Sequence, residues 1–276
     1  MSSPIGIFDS GYGGLTVFRD IRRELPQYDY IYLGDNARAP YGPRSFETIY
    51  AYTLQCVRHL FECGCHLVVL ACNTASAKAL RSIQQRDLPG IDPKRRVLGV
   101  IRPTTEIVGH FTRTQEVGVL ATRGTVASGS YVIEIHKFFP DLKVYQEACP
   151  MWVPLIENGE HESPGADYFV RKHLDALLAQ SPDIDTVVLG CTHYPLLSKV
   201  IQQVAGPKVT LVDSAHATAD RVAEILDERD LLKRERLATE RHYLVTDTPN
   251  RFIEVGARFL GHSISAARQI DLTLKG

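Results

Sequence analysis

No stretch of the 276-residue chain approaches the ~18 unbroken apolar residues of a membrane-spanning helix, so none is expected. Charge of either sign is not in excess: 31 Lys and Arg stand against 32 Asp and Glu, a formal net charge of −1. Without a global field, neither nucleic acid nor a membrane is expected as a partner. Met1-Ser2-Ser3-Pro4 has no basic region or cleavage site before the apolar Ile5-Gly6-Ile7-Phe8, so no secretion signal is expected. Six cysteines, at 56, 63, 65, 72, 149 and 191, do not form a disulfide framework in a chain this long. They read as reduced thiols of a cytoplasmic protein. Cys63-Gly64-Cys65-His66 is a dense group of potential metal ligands, but it lacks a second cluster at zinc-site spacing, and buried thiols are the expectation. What remains, 44% hydrophobic and 23% charged residues, is the composition of a globular protein with one large or two ordinary domains.

What the chain does have is one short pattern twice. Val68-Val69-Leu70-Ala71-Cys72-Asn73-Thr74 is matched by Val187-Val188-Leu189-Gly190-Cys191-Thr192-His193. A run apolar on both faces suits a strand buried in a parallel sheet. Helical sequence follows each, so each cysteine is expected where a strand's carboxyl end turns into a helix, the edge at which open α/β sheets bind ligands. Ile5-Gly6-Ile7-Phe8-Asp9-Ser10 also aligns with Val117-Gly118-Val119-Leu120-Ala121-Thr122, and the Tyr32 and Val144 strands take matching places. The offset of roughly 110–120 residues indicates an internal repeat. The expected fold is α/β, two similar doubly wound parallel-sheet domains related by that repeat, with the active site in the cleft between them. The Val209-Thr210-Leu211-Val212 and His242-Tyr243-Leu244-Val245 strands are expected to complete the first sheet. The first domain would then take residues 1–97 plus 208–276, and the second 98–207. The charged run 227–236 reads as a solvated surface or linker.

Two loops carry further signals. Asp9-Ser10-Gly11-Tyr12-Gly13-Gly14 lacks the Lys-Ser/Thr of a phosphate loop and the glycine spacing of a dinucleotide site. It is read as a cradle for a small anion or carboxylate, or else as a tight turn with a capping Asp. Asn36-Ala37-Arg38-Ala39-Pro40-Tyr41-Gly42-Pro43 is long for its place and rich in breakers, as functional loops are. Two thiols on opposite sides of a bound carbon could take a proton from one face and return one to the other, each alternating between thiolate base and thiol acid. Asp9 is expected beside the Cys72 strand, and His193 and Glu157 near Cys191, although Glu160 and Glu162 share the Glu157 loop.

Phe8-Asp9-Ser10-Gly11, Gly34-Asp35, Pro40-Tyr41-Gly42, Ala71-Cys72-Asn73-Thr74-Ala75 and Gly190-Cys191-Thr192-His193-Tyr194-Pro195 occur in this order, and with them the chain closely resembles the glutamate racemases of the aspartate/glutamate racemase superfamily. The resemblance implies interconversion of L- and D-glutamate without pyridoxal phosphate or metal, supplying D-glutamate for peptidoglycan, in an enzyme that is often dimeric. It assigns Cys72 to the D-enantiomer and Cys191 to the L-enantiomer, with Asp9, His193 and Glu157 assisting. It implies substrate contacts at Asp9-Ser10, Tyr41-Gly42, Asn73-Thr74 and Thr192-His193, and at Thr122 and Thr125. An aspartate racemase, a non-catalytic amino-acid-binding protein and a thiol oxidoreductase are the competing readings; the last lacks a C-x-x-C motif.

Overall fold

Ile5–Asp9 (β1), Leu67–Leu70 (β3) and Thr186–Gly190 (β7) are buried along their whole length, as strands in a sheet covered on both faces must be. A computed structural model describes residues 3–228 and 239–272 of the chain and sets these strands at the centres of two parallel sheets. The first sheet adds Tyr30–Gly34 (β2), Arg96–Gly99 (β4), Arg241–Val245 (β9) and Arg268–Gln269 (β10), in the order β10-β9-β2-β1-β3-β4. The second is built from Glu116–Ala121 (β5), Lys143–Ala148 (β6), β7 and Thr210–Val212 (β8), in the order β6-β5-β7-β8. Every pairing is parallel. The run β2-β1-β3-β4 repeats as β6-β5-β7-β8, so the fold is two α/β domains of one topology, with Cys72 and Cys191 after equivalent strands.

One expectation about the sheets is corrected. The Val209 strand does not join the first sheet: β8 pairs with β7, Val188 opposite Val212, and is the fourth strand of the second repeat. Its counterpart β4 pairs with β3 in the first sheet. Both follow from a helical crossover of the same hand after the cysteine strand. The strand near Tyr243 does extend the first sheet, against β2. Of the charged run, residues 229–236 lie outside the described residues.

Local chemistry sets the helices that frame the cleft. Phe46–Glu62 starts where the Ser45 hydroxyl accepts the Thr48 N–H. Asn73–Lys78 starts at Cys72, whose sulfur accepts the Ala75 N–H, and Arg123–Ser128 at Thr122, whose hydroxyl accepts the Thr125 N–H. Pro249–Leu260 places Phe252 and Phe259 against Tyr12, and Phe259 edge-on to His193. This helix of the first domain thereby packs on a residue of the second.

Candidate active site

A cavity of about 620 Å³ opens where the strands of both sheets end, within the usual size of a small-molecule site. Its wall is read off the chain strand by strand. Ser10 follows β1, Asn36 β2, Cys72 β3, Thr122 β5, Cys149 β6, Cys191 β7 and Asp247 β9. Both thiols lie at this one cavity, each 6% exposed.

The surroundings of the two sulfurs differ. Cys72 Sγ has the Ser10 hydroxyl at 3.4 Å and the Ala75 N–H at 3.4 Å. Burial, then the neighbouring Asp9 carboxylate, push its thiol up to about 12, against these two hydrogen bonds. Cys191 Sγ instead faces His193 Nδ1 at 3.8 Å, and His193 Nε2 lies 2.9 Å from Glu157 Oε1. Burial works to lower the His193 pKa but is outweighed by Cys191 and Glu157, which hold it up at about 10. The geometry is that of a cationic imidazole bridging a sulfur and a carboxylate. Glu160 and Glu162 are exposed; Glu157, at the end of the helix Trp152–Glu157, reaches His193.

The remaining predicted residues fall into two groups. Ser10, Tyr41, Gly42, Asn73, Thr74, Thr122, Thr192 and His193 line the cavity. Asp9 and Thr125 stand behind it. Thr125 Oγ1 completes a hydroxyl cluster with Thr74 (3.4 Å) and Thr122 (3.1 Å), while Thr74 and Thr122 meet at 3.0 Å across the domains. Asp9 is 1% exposed, and its Oδ2 accepts the Gly11 N–H at 2.8 Å. Burial raises its pKa, against the His193 charge and the Gly11 and Gly14 N–H groups. Asp9 Oδ2 thus closes the turn after β1, while Ser10, Gly11 and Tyr12 of the same turn line the cavity. Asp9 Oδ1 has no hydrogen-bond partner among the described residues.

Sequence reading missed several contributors. Cys149 lines the cavity. So do Asn36 and, from the tail that does not repeat, Asp247 and Arg251. The Gly34-Asp35 motif could have flagged its neighbour Asn36; nothing in the sequence marked the tail. Asp35 is the least anticipated: fully buried, it accepts from Arg38 Nε at 2.7 Å, from Thr246 Oγ1 at 2.9 Å and from the Tyr41 hydroxyl. Arg38 in turn lies over the Tyr52 ring at 4.2 Å. Asp35 thus ties the 36–43 loop, with its cis Ala39–Pro40 peptide, to β2 and β9. Removing it leaves Arg38 uncompensated, and Asp35→Ala is expected to lower unfolding free energy by about 3–5 kcal/mol in urea denaturation, with Asp35→Asn losing less. An unchanged midpoint would contradict this reading of the loop.

Comparison with known proteins gives a consistent result. The Asp/Glu/Hydantoin racemase family model matches residues 5–222. A glutamate racemase of Geobacter metallireducens is 45% identical, over 97% of this chain and 96% of that protein. The crystal structure of a glutamate racemase isoform from Bacillus anthracis superposes with a TM-score of 0.91 at 36% identity, covering 99% of both chains. That of the glutamate racemase from Francisella tularensis in complex with D-glutamate gives 0.89 at 32% identity, covering 99% of this chain and 98% of that one.

Proposed function

The chain belongs to the Asp/Glu/Hydantoin racemase family and is an isomerase of its glutamate-racemase branch, and we propose that it interconverts L- and D-glutamate with Cys72 and Cys191 as the two acid/base groups. The observation that carries the proposal is that two thiols at the ends of equivalent strands border one cavity. In the L-to-D direction Cys191, beside the His193 imidazolium, removes the Cα proton on one face. Cys72, kept as a thiol by burial and Asp9, delivers a proton to the other. In the reverse direction Cys72 is the base, with Asp9 as its carboxylate neighbour, and Cys191 is the acid.

Neutral donors around the thiols suit the substrate's charged ends: the Ser10, Thr74, Thr122 and Thr192 hydroxyls, the Asn73 amide and the Tyr41-Gly42 backbone. Thr125 supports the Thr74 and Thr122 hydroxyls from behind. We assign the product D-glutamate to peptidoglycan synthesis, and the enzyme to the cytoplasm as a homodimer. No helix among the described residues is long and apolar enough to cross a membrane. Circular dichroism with L-glutamate and L-aspartate side by side tests the substrate. Loss of ellipticity is expected with glutamate; loss with aspartate alone would make the chain an aspartate racemase, and with neither would favour a binding protein.

The His193 pair also makes stability depend on pH. A histidine whose pKa rises on folding, here from 6.5 to about 10, adds stability in full below about 6.5 and loses it as pH climbs toward 10. The melting temperature of the wild type relative to His193→Asn should therefore fall steadily between pH 6.5 and 10. A difference constant over that window would show that the imidazole is not held charged.

A further inference from the structure

Resting on the glutamate-racemase reading, we propose that Tyr131 is a positioning residue of the substrate site, fixing the Asn73 side-chain amide so that its nitrogen is presented to a carboxylate oxygen of the bound amino acid. Asn73 belongs to the first domain and follows Cys72; Tyr131 belongs to the second, in the helix Ser130–Phe138. The Tyr131 hydroxyl lies 2.7 Å from Asn73 Oδ1. Tyr131 is fully buried and Asn73 is 2% exposed.

The direction of this hydrogen bond follows from the inventory of the two groups. The phenol carries one proton, and Asn73 Oδ1 is its acceptor. Were it to accept from Nδ2 instead, its own proton would be buried without an acceptor, at the full desolvation cost. Burial, the largest influence, pushes the phenol pKa up, so Tyr131 stays a donor through the working pH range. With Oδ1 engaged, Nδ2 is buried with no partner among the described residues, and Asn73 lines the cavity. An unsatisfied buried donor at the edge of a cavity fits an acceptor brought by the ligand. The two carboxylates of glutamate supply such acceptors.

The position of Tyr131 is itself built in. Its ring packs where Gly190 has no side chain: a Cβ there would lie 3.0 Å from Tyr131 Cε2 and 3.1 Å from Ala121 Cβ. The residue after Gly190 is Cys191. One aromatic side chain thus rests on the strand that delivers one thiol and hydrogen-bonds the residue next to the other. It also spans the domains, so amide orientation and domain placement are coupled.

A double-mutant cycle tests the inference, using KM and kcat for glutamate together with calorimetric binding. Tyr131→Phe is expected to raise KM about tenfold in both directions, with kcat changed less than about threefold, as suits the loss of one hydrogen bond made in ground and transition states alike. In the Asn73→Ala background, Tyr131→Phe should add nothing further. An equal effect of Tyr131→Phe with and without Asn73 would make Tyr131 merely structural and overturn the inference. The wild-type protein gives an independent readout if Tyr131→Phe does not fold. The Asn73 side-chain amide ¹⁵N–¹H cross-peak, identified by its loss in Asn73→Ala, should move on titration with glutamate, and a cross-peak unmoved at saturation overturns the inference. Wild-type protein that neither binds nor racemises glutamate sinks the functional reading. Wild-type protein that racemises it, with KM unmoved in Tyr131→Phe, sinks the positioning role alone.

Discussion

Replacing either Cys72 or Cys191 with alanine should reduce racemisation in both directions by roughly 10³-fold or more, because each turnover needs one thiol as base and the other as acid. The two losses should not multiply in the double variant, since a single absent thiol already stops the reaction. Each side chain is small and already accommodated in a tight wall, so the fold should survive at a cost of about 1 kcal/mol. The single variants should differ in what they retain. Cys191→Ala leaves Cys72 against one face of the substrate and should exchange the Cα hydrogen of D-glutamate alone. Cys72→Ala should exchange that of L-glutamate alone. Racemisation near the wild-type rate in either variant would remove the two-base mechanism, whatever the family resemblance.

Gly13→Ala should be nearly as damaging, although Gly13 touches no reacting atom. A Cβ at this position would lie 2.3 Å from His193 Nδ1 and 2.4 Å from Thr192 Oγ1, closer than any real contact. Both neighbours follow directly on Cys191, so relief requires the His193 ring and its partners to move. Misplacing a catalytic group by about 1 Å costs on the order of 10²-fold, and a loss of that size in kcat/KM is expected. The His193–Glu157 pair would shift as well, so the decline of stability between pH 6.5 and 10 should flatten in the variant. A variant with wild-type kcat/KM would mean that the His193 position is not critical to turnover. Thr16 Oγ1, bonded to Thr192 O at 3.0 Å, holds the same apposition from the next turn of the chain.

How far the sequence discloses this site depends on how local each signal is. The cysteine strands are legible because a run of consecutive residues must be apolar to be buried on both faces, and the pattern occurs twice. Asp9 is placed beside Cys72 by strand adjacency alone, and β1 does pair with β3. The edge strand β8 reads equally well in either sheet, because its three residues are partly exposed. Repeat logic, pressed further, demands a fourth strand after the second cysteine and would have found it. The Asp35–Arg38–Tyr41 cluster was invisible for a different reason. Its members are close in sequence, but the cluster is completed by Thr246, just past β9 at the far end of the chain. Tyr131 lay in an unremarkable helix, and its role exists only once two domains meet. Glu157 shows the intermediate case: the loop was identified, but geometry was needed to separate it from Glu160 and Glu162.

In the two-thiol mechanism two sulfurs attend opposite faces of one carbon, and hydrogen isotope transfer reports on that arrangement most directly. Incubate the wild-type enzyme with L-glutamate in heavy water and analyse both enantiomers at a few per cent conversion. The two-thiol account predicts that the first D-glutamate formed carries solvent deuterium at Cα while the remaining L-glutamate stays protiated. D-glutamate that keeps the substrate's own hydrogen would mean that a single base carries the proton across, and would contradict the account.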